Sequence, residues 1–270
     1  MFPYFTLFGK TIYMYTVMAL VGVFAAGGFC CYYAKKRFGQ SDSMIVLLLV
    51  GAVGVFFGGH ILYALTNIKL IAAVMGNLSI INSFKSFLAV VQLIFGGSVF
   101  YGGLLGGLAA GGIYIKVKKL DFKAYSDIAA CGIPLFHVFG RIGCFLGGCC
   151  YGKESSIGFY YTNAIVDGLN GTTRFPIQLV EAAVNCVIFA AVWALLSRGI
   201  LKGRLLAVYL AVYAVARFVL EFWRGDEYRG SLFGLSTSQF ISVVILIVLI
   251  VWCIIKAVKR GKINQESAAK

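Results

Sequence analysis

Charge is what this chain has least of. Asp, Glu, Lys and Arg together make up 13% of the residues, with only 10 acidic side chains and 2 histidines. Soluble globular domains carry about 25% charged residues, so the shortage excludes an ordinary soluble domain. Two histidines leave little imidazole for a metal centre, and no metal or other cofactor is expected. No long-period repeat stands out, and none of the solenoid architectures is implied. The first apolar run also lacks a clean cleavage site. Only Lys10 precedes it, and Ala25-Ala-Gly-Gly-Phe-Cys30 does not offer the small-x-small pattern of a secretory signal, so the run is expected to stay as a helix.

What is present is apolar. Hydrophobic residues make up 60% of the chain and the mean hydropathy is +0.90. The expected fold class is therefore all-α: a polytopic transmembrane helical bundle forming a single integral membrane domain over residues 1–270. The 33 glycines suit close helix contacts, and the 15% aromatic content suits the membrane interface. Segments of roughly 20 residues can cross the hydrocarbon. On that measure the spans lie near Thr11–Tyr33, Ser43–Leu65, Leu93–Ile115, Ile128–Cys149, Ile177–Leu196, Gly203–Trp223 and Ser238–Ile255, about seven in all. Between the second and third, residues 68–94 are interrupted by Lys69, Asn77, Asn82 and Lys85, which predicts a short interfacial or re-entrant helix.

Basic residues orient such a bundle, because cytoplasmic loops hold the excess of Lys and Arg. With the amino terminus outside and the carboxyl terminus inside, the inner segments collect Lys35-Lys-Arg37, the lysines between Lys116 and Lys123, Arg198 to Arg204, and Lys256 to Lys270. Fewer fall outside. The net charge of +14 then reads as topology and contact with anionic membrane lipid, and nucleic acid need not be invoked.

Two arginines break this pattern from within. Arg141 and Arg217 sit in stretches that are otherwise membrane, where a guanidinium costs roughly 3 kcal/mol on insertion scales and normally faces a polar cavity or an anion. Arg141 follows Gly140 in Gly-Arg-Ile-Gly-Cys144-Phe, and Arg217 has Glu221 one helical turn on. The alternative for Arg217 and Glu221 is a buried structural ion pair. Nearby, Cys144, Cys149 and Cys150 form C-x4-C-C, a spacing that fits no common zinc motif. A redox pair or reactive thiol stands beside tight packing against Gly147 and Gly148 as its reading. Tyr101 lies in a glycine-rich run, Gly96 to Gly106, whose glycines permit close approach to another backbone or to a ligand headgroup. His60 and His137 read as hydrogen-bonded packing residues. Arg174, Gln178 and Glu181 stand where a span begins at Pro176, shallow enough for Glu181 to reach the interface.

Together these blocks resemble the bacterial prolipoprotein diacylglyceryl transferases. Tyr15 to Gly22 is similar to the first-helix segment of the family, Gly58-Gly-His-Ile-Leu-Tyr63 to a second block, and Gly96 to Gly106 to the glycine-rich third. Asp127 through Gly152 resembles the signature region, Arg174-Phe-Pro-Ile-Gln-Leu-Val-Glu181 a fifth block, and Tyr213 through Arg224 an Arg-x-x-x-Glu-Phe-x-Arg pattern. Each block is weak alone, and the ordered set is specific. Departures also occur: His60 stands where an arginine is usual, Tyr101 where the family has a histidine, Cys144 where it has an asparagine, and Cys149 where it has an acidic residue.

The resemblance implies a multi-pass enzyme of the bacterial inner membrane with no cofactor. Its partners would be phosphatidylglycerol and the signal-peptide region of a prolipoprotein, whose lipobox cysteine thiol receives the diacylglyceryl group as glycerol phosphate departs. On this reading Arg141 and Arg217 stabilise charge growing on phosphate, Glu221 orients a guanidinium, and Tyr101 replaces the family histidine as base. Tyr15, Gly102, Gly103, Gly140, Cys144 and Arg224 bind substrate. The alternatives are a membrane protein that binds anionic phospholipid without catalysis and a related transferase with another acceptor.

Overall fold

The computed structural model describes residues 1–77, 82–97, 100–166, 168–226, 231–232 and 234–268. In chain order, strands β1 (Tyr4–Leu7) and β2 (Lys10–Tyr13) precede helices α1 (Met14–Phe38), α2 (Asp42–Thr66), α3 (Ile68–Met75), α4 (Phe84–Phe95), α5 (Phe100–Val117) and α6 (Phe122–Gly147). Strands β3 (Glu154–Tyr160) and β4 (Thr173–Arg174) then lead to α7 (Ile177–Ser197) and α8 (Leu205–Leu220), which runs on into a 3-10 turn, Glu221–Trp223. A last hairpin, β5 (Ser231–Leu232) with β6 (Leu235–Ser236), opens into α9 (Thr237–Ala268). The chain is a polytopic helical membrane protein. Among the described residues six helices are long and apolar enough to cross a bilayer: α1, α2, α6, α7, α8 with its 3-10 turn, and the Thr237–Val258 part of α9.

The expected third span is the one that changes shape. The chain leaves helix at Gly96, and the long run expected over Leu93–Ile115 becomes the end of α4 and the 18-residue α5. At 1.5 Å per residue α5 covers about 27 Å, close to the hydrocarbon thickness. Two short helices occupy the expected interfacial region, and the second opens on a capping box in which Ser83 and Ser86 satisfy each other's backbone N–H. The first span starts later than expected, at Met14, because residues 4–13 pair as a hairpin. Its two turn residues, Phe8 and Gly9, have φ of 50° and 74°, the positive values that a type I′ turn requires.

Residues fall into two compact units, Cys31–Tyr125 and the remainder, Met1–Cys30 with Ser126–Lys270. The first of these is organised by glycine. Gly54 and Gly58 on α2 face Gly106 and Gly102 on α5, and a Cβ at any of the four would run into the opposing backbone. Paired small-x-x-x-small motifs of this kind let helices approach until backbone touches backbone. His60 accompanies the seam, its Nδ1 lying 2.6 Å from the carbonyl of Phe95 and 2.8 Å from that of Gly97.

The other unit is held by polar caps inside an apolar bundle. Asp127 of α6, 1% exposed, accepts from the N–H of Gly203 at 2.5 Å and of Leu205 at 3.0 Å, so that one carboxylate closes the amino end of α8. Ile128, Cys131 and Leu205 beside it are fully buried as well. At the opposite end α6 stops in a Schellman motif: Gly148 takes a φ of 70°, its N–H donates to Phe145 O at 3.1 Å, and the N–H of Cys149 donates to Cys144 O at 3.1 Å. Beyond that stop the segment between α6 and α7 ties the helix ends together, with Lys153 N donating to Trp223 O, Gly225 N to Tyr151 O and Phe175 N to Lys153 O, each at 3.0 Å.

Candidate active site

The C-terminal parts of α6 and α8 and the N-terminal parts of α7 and α9 meet at the end of the unit closed by that segment. Arg141 comes from α6, Glu181 from α7, Arg217 from α8, Glu221 and Arg224 from the edges of the 3-10 turn, and Ser238 from α9. Glu181 is the hub. Arg141 Nε lies 2.6 Å from its Oε2, Arg217 Nη1 2.5 Å from its Oε1, and Arg224 Nη1 3.1 Å from that same Oε1. Arg217 also reaches Glu221 Oε2 at 2.6 Å and donates to Ser238 Oγ at 2.9 Å. Arg224 is gripped by both oxygens of Asp226, at 2.9 and 2.6 Å. Asn185, one turn deeper on α7, donates to the carbonyl of Glu181 at 2.7 Å and stiffens the helix under the hub.

Three guanidiniums thus face three carboxylates in a buried cluster. Charges taken out of water are stable only when partnered and hydrogen-bonded, and here each arginine has at least one acid within ion-pair distance. Burial alone would make Arg224 a weaker base, but the Asp226 fork and the charge of Glu181 outweigh it and hold its guanidinium above the usual range.

The arginines are not equivalent. Arg217 and Arg224 have side chains 9% and 3% exposed and are bonded on several nitrogens, whereas Arg141 is 20% exposed and meets Glu181 edge-on through Nε. Among the described residues no hydrogen bond engages the Nη atoms of Arg141. Space lies beside it: a Cβ on Gly140 would meet nothing within 4 Å. On the other side Tyr15 of α1, about half exposed, packs over Gly143, where a Cβ would lie 3.3 Å from the tyrosine Cα. His137, a turn before Arg141, packs at a tilt against Tyr213 with ring centroids 5.2 Å apart.

Next to Arg141 the cysteines gather. Cys144, Cys149 and Cys150 carry sulfurs that all lie within 4.8 Å of one another. Gln178, fully buried, donates to the carbonyl of Cys149 at 2.8 Å and to the hydroxyl of Tyr161 at 3.0 Å, which fixes the loop over the start of α7. A hydrogen bond with Cys144 lowers the Cys149 pKa, but its bond with Cys150 and its burial prevail and push the thiol up to about 11. Burial likewise raises the Tyr161 phenol, against the opposing bond from Gln178.

Of the expected site residues, then, Arg141, Arg217, Glu221 and Arg224 converge, with Tyr15, Gly140 and Cys144 beside Arg141. Others stand elsewhere. Gly102 and Gly103, expected at a lipid headgroup, face α2: a Cβ on Gly102 would strike the Gly58 carbonyl, and one on Gly103 would lie 3.1 Å from that of Val55. Their place in the structure is the helix seam. Tyr101 belongs to α5, and its side chain lies outside the described residues. Glu181, expected to reach for the interface, is instead 3% exposed and central. Asp226, Ser238 and Asn185 also escaped the sequence reading. The only sequence signal was that Glu181 and Asn185 share a helix face.

Fold and site together define a polytopic membrane protein that buries a ring of arginines and carboxylates beside a partly open guanidinium. A family model described as prolipoprotein diacylglyceryl transferase matches residues 3–255. The phosphatidylglycerol–prolipoprotein diacylglyceryl transferase of Clostridium tetani is 35% identical over 248 residues, covering 90% of this chain and 93% of the relative. A second enzyme of that name, from Clostridium perfringens, is 32% identical over 89% of this chain and 90% of its own length, and one from Helicobacter hepaticus is 31% identical over 90% and 85%. The chain belongs to the prolipoprotein diacylglyceryl transferase family.

Proposed function

We propose that the chain transfers the diacylglyceryl group of phosphatidylglycerol to the thiol of a lipobox cysteine in a prolipoprotein, releasing glycerol phosphate. The acceptor sulfur attacks the glyceryl carbon, the C–O bond to phosphate breaks, and negative charge grows on the departing phosphate. Donors fixed in advance where that charge appears are the largest single source of catalysis in a water-poor site. Arg141 is the group placed to supply them. Its Nε is anchored by Glu181, so its two Nη groups are aimed without being consumed. Arg217, committed to Glu181, Glu221 and Ser238, acts as a positioning residue that keeps the hub in place and adds to the local field. Arg224 braces the same carboxylate from behind. Tyr15 is assigned to the headgroup and Tyr101 to proton transfer, the latter carried by its matched position in the family pattern.

The convergence of Arg141 and Arg217 on one carboxylate beside open space carries this reading. The site lies at the helix ends opposite the basic segments 198–204 and 256–262. With the amino terminus outside, those segments face the cytoplasm and the site faces the outer leaflet of the inner membrane, where exported prolipoproteins arrive. Vesicles containing the protein, phosphatidylglycerol and a lipobox peptide should yield thioether-linked peptide and glycerol phosphate in equal amounts. Lipid bound without either product would favour the non-catalytic phospholipid binder.

A further inference from the structure

We propose that Cys144, Cys149 and Cys150 hold one thiophilic divalent ion of the zinc class, with its fourth coordination position open beside Arg141. The spacing C-x4-C-C matches no common zinc motif, yet the helix stop makes it one. A Schellman motif brings the side chain three residues before the cap against the one two residues after it. Those positions are Cys144 and Cys149, joined by the 3.1 Å bond from Cys149 N to Cys144 O. Cys150 then adopts a φ of 55°, a left-handed conformation that turns its side chain back toward the other two. The three sulfurs end within 4.8 Å of one another. Zinc–sulfur bonds of about 2.3 Å at tetrahedral angles need sulfurs about 3.8 Å apart, so a contraction of no more than about 1 Å closes the site.

Two cations stand near the three sulfurs. Cys144 follows Arg141 by one helical turn, and the charges of Arg141 and Arg224 act on these sulfurs. The loop is pinned by the bond from Gln178 to the Cys149 carbonyl at 2.8 Å, support of the kind that orients ligands. All three cysteines are outside any disulfide, and an odd number of thiols leaves one over in any pairing, whereas a metal uses all three. Three protein ligands and one open position are the pattern of a catalytic zinc site, in contrast to the four of a structural one.

The role of the open position rests on the transferase reading. The acceptor thiol would bind there as thiolate, its proton leaving to solvent in place of the transfer assigned to Tyr101. The metal-held sulfur forms the S–C bond to the glyceryl carbon while the C–O electron pair leaves on phosphate, and the metal keeps its oxidation state. Such a step supplies the activated nucleophile in a chain that has Tyr101 where the family has histidine.

Full-length protein in detergent, reduced and loaded with zinc chloride, should retain about one zinc per chain after desalting. Cobalt loading should give sulfur-to-metal charge-transfer absorption. Cys144→Ser, Cys149→Ser and Cys150→Ser should each lose the metal, and Cys186→Ser and Cys253→Ser should keep it. Because a variant could misfold, the wild-type chain is also alkylated with and without zinc: the metal should protect these three thiols and leave Cys186 labelled. Absence of stoichiometric metal together with unprotected thiols overturns the site. Full transfer by metal-free protein overturns the activation step alone, and loaded protein that makes no product overturns the transferase reading while the metal count still decides the site.

Discussion

The glycine seam between α2 and α5 and the arginine cluster at the helix ends are opposite solutions to holding helices together without water. In the seam Gly54, Gly58, Gly102 and Gly106 leave no room for a side chain, and a Cβ on Gly58 or Gly102 would strike the opposing carbonyl oxygen. In the cluster three cations and three anions are buried at a desolvation cost that only their mutual contacts offset. Packing alone is served by the first arrangement. The second costs more than an apolar core would, which makes sense where a charged substrate must be met.

This contrast is open to test, beginning with the largest effect. Glu181→Gln removes the carboxylate that three arginines share, and a broken buried ion pair costs about 3–5 kcal/mol. Unfolding in detergent should show that loss together with loss of transfer, and an unchanged midpoint would break the hub assignment. Gly58→Leu sets a side chain against backbone that cannot yield, with an expected cost of about 1–3 kcal/mol for overpacking. Limited proteolysis should report it within residues 31–125, whereas unaltered cleavage would show that the seam is looser than its contacts indicate. Asp127→Ala deprives α8 of its cap, worth about 1–2 kcal/mol in thermal unfolding, with modest change in transfer rate. Gly140→Leu, pointing into open space, should leave stability within about 0.5 kcal/mol. If substrate occupies that space, KM for phosphatidylglycerol rises and kcat changes less.

Much of the fold was legible because hydropathy and basic-residue asymmetry are local signals. Span boundaries for α2 and α7 fall within a residue of expectation. The hairpin of residues 4–13 was overlooked although Phe8-Gly9 between alternating residues is a turn signal, since its strands merge into the apolar run of α1. The site was legible in its membrane arginines, which are conspicuous wherever they occur. Glu181 was not, because depth along one helix says nothing of which neighbours enclose it: α8 and the 3-10 turn fold over it and convert an interfacial position into a buried one. Gly102 and Gly103 illustrate the reverse, since a glycine motif cannot distinguish a headgroup from a neighbouring helix, and α2 supplies the helix. The cysteines were judged by linear spacing, while the left-handed residues at Gly148 and Cys150 decide where their sulfurs go.

The most direct measurement is transfer by Arg141→Ala in phosphatidylglycerol vesicles, alongside its unfolding midpoint. With its Nη groups aimed at the departing phosphate, kcat should fall by about 10²–10³, the usual effect of removing one preorganised donor, while the midpoint moves little. Transfer at the wild-type rate by a folded Arg141→Ala protein would contradict the account.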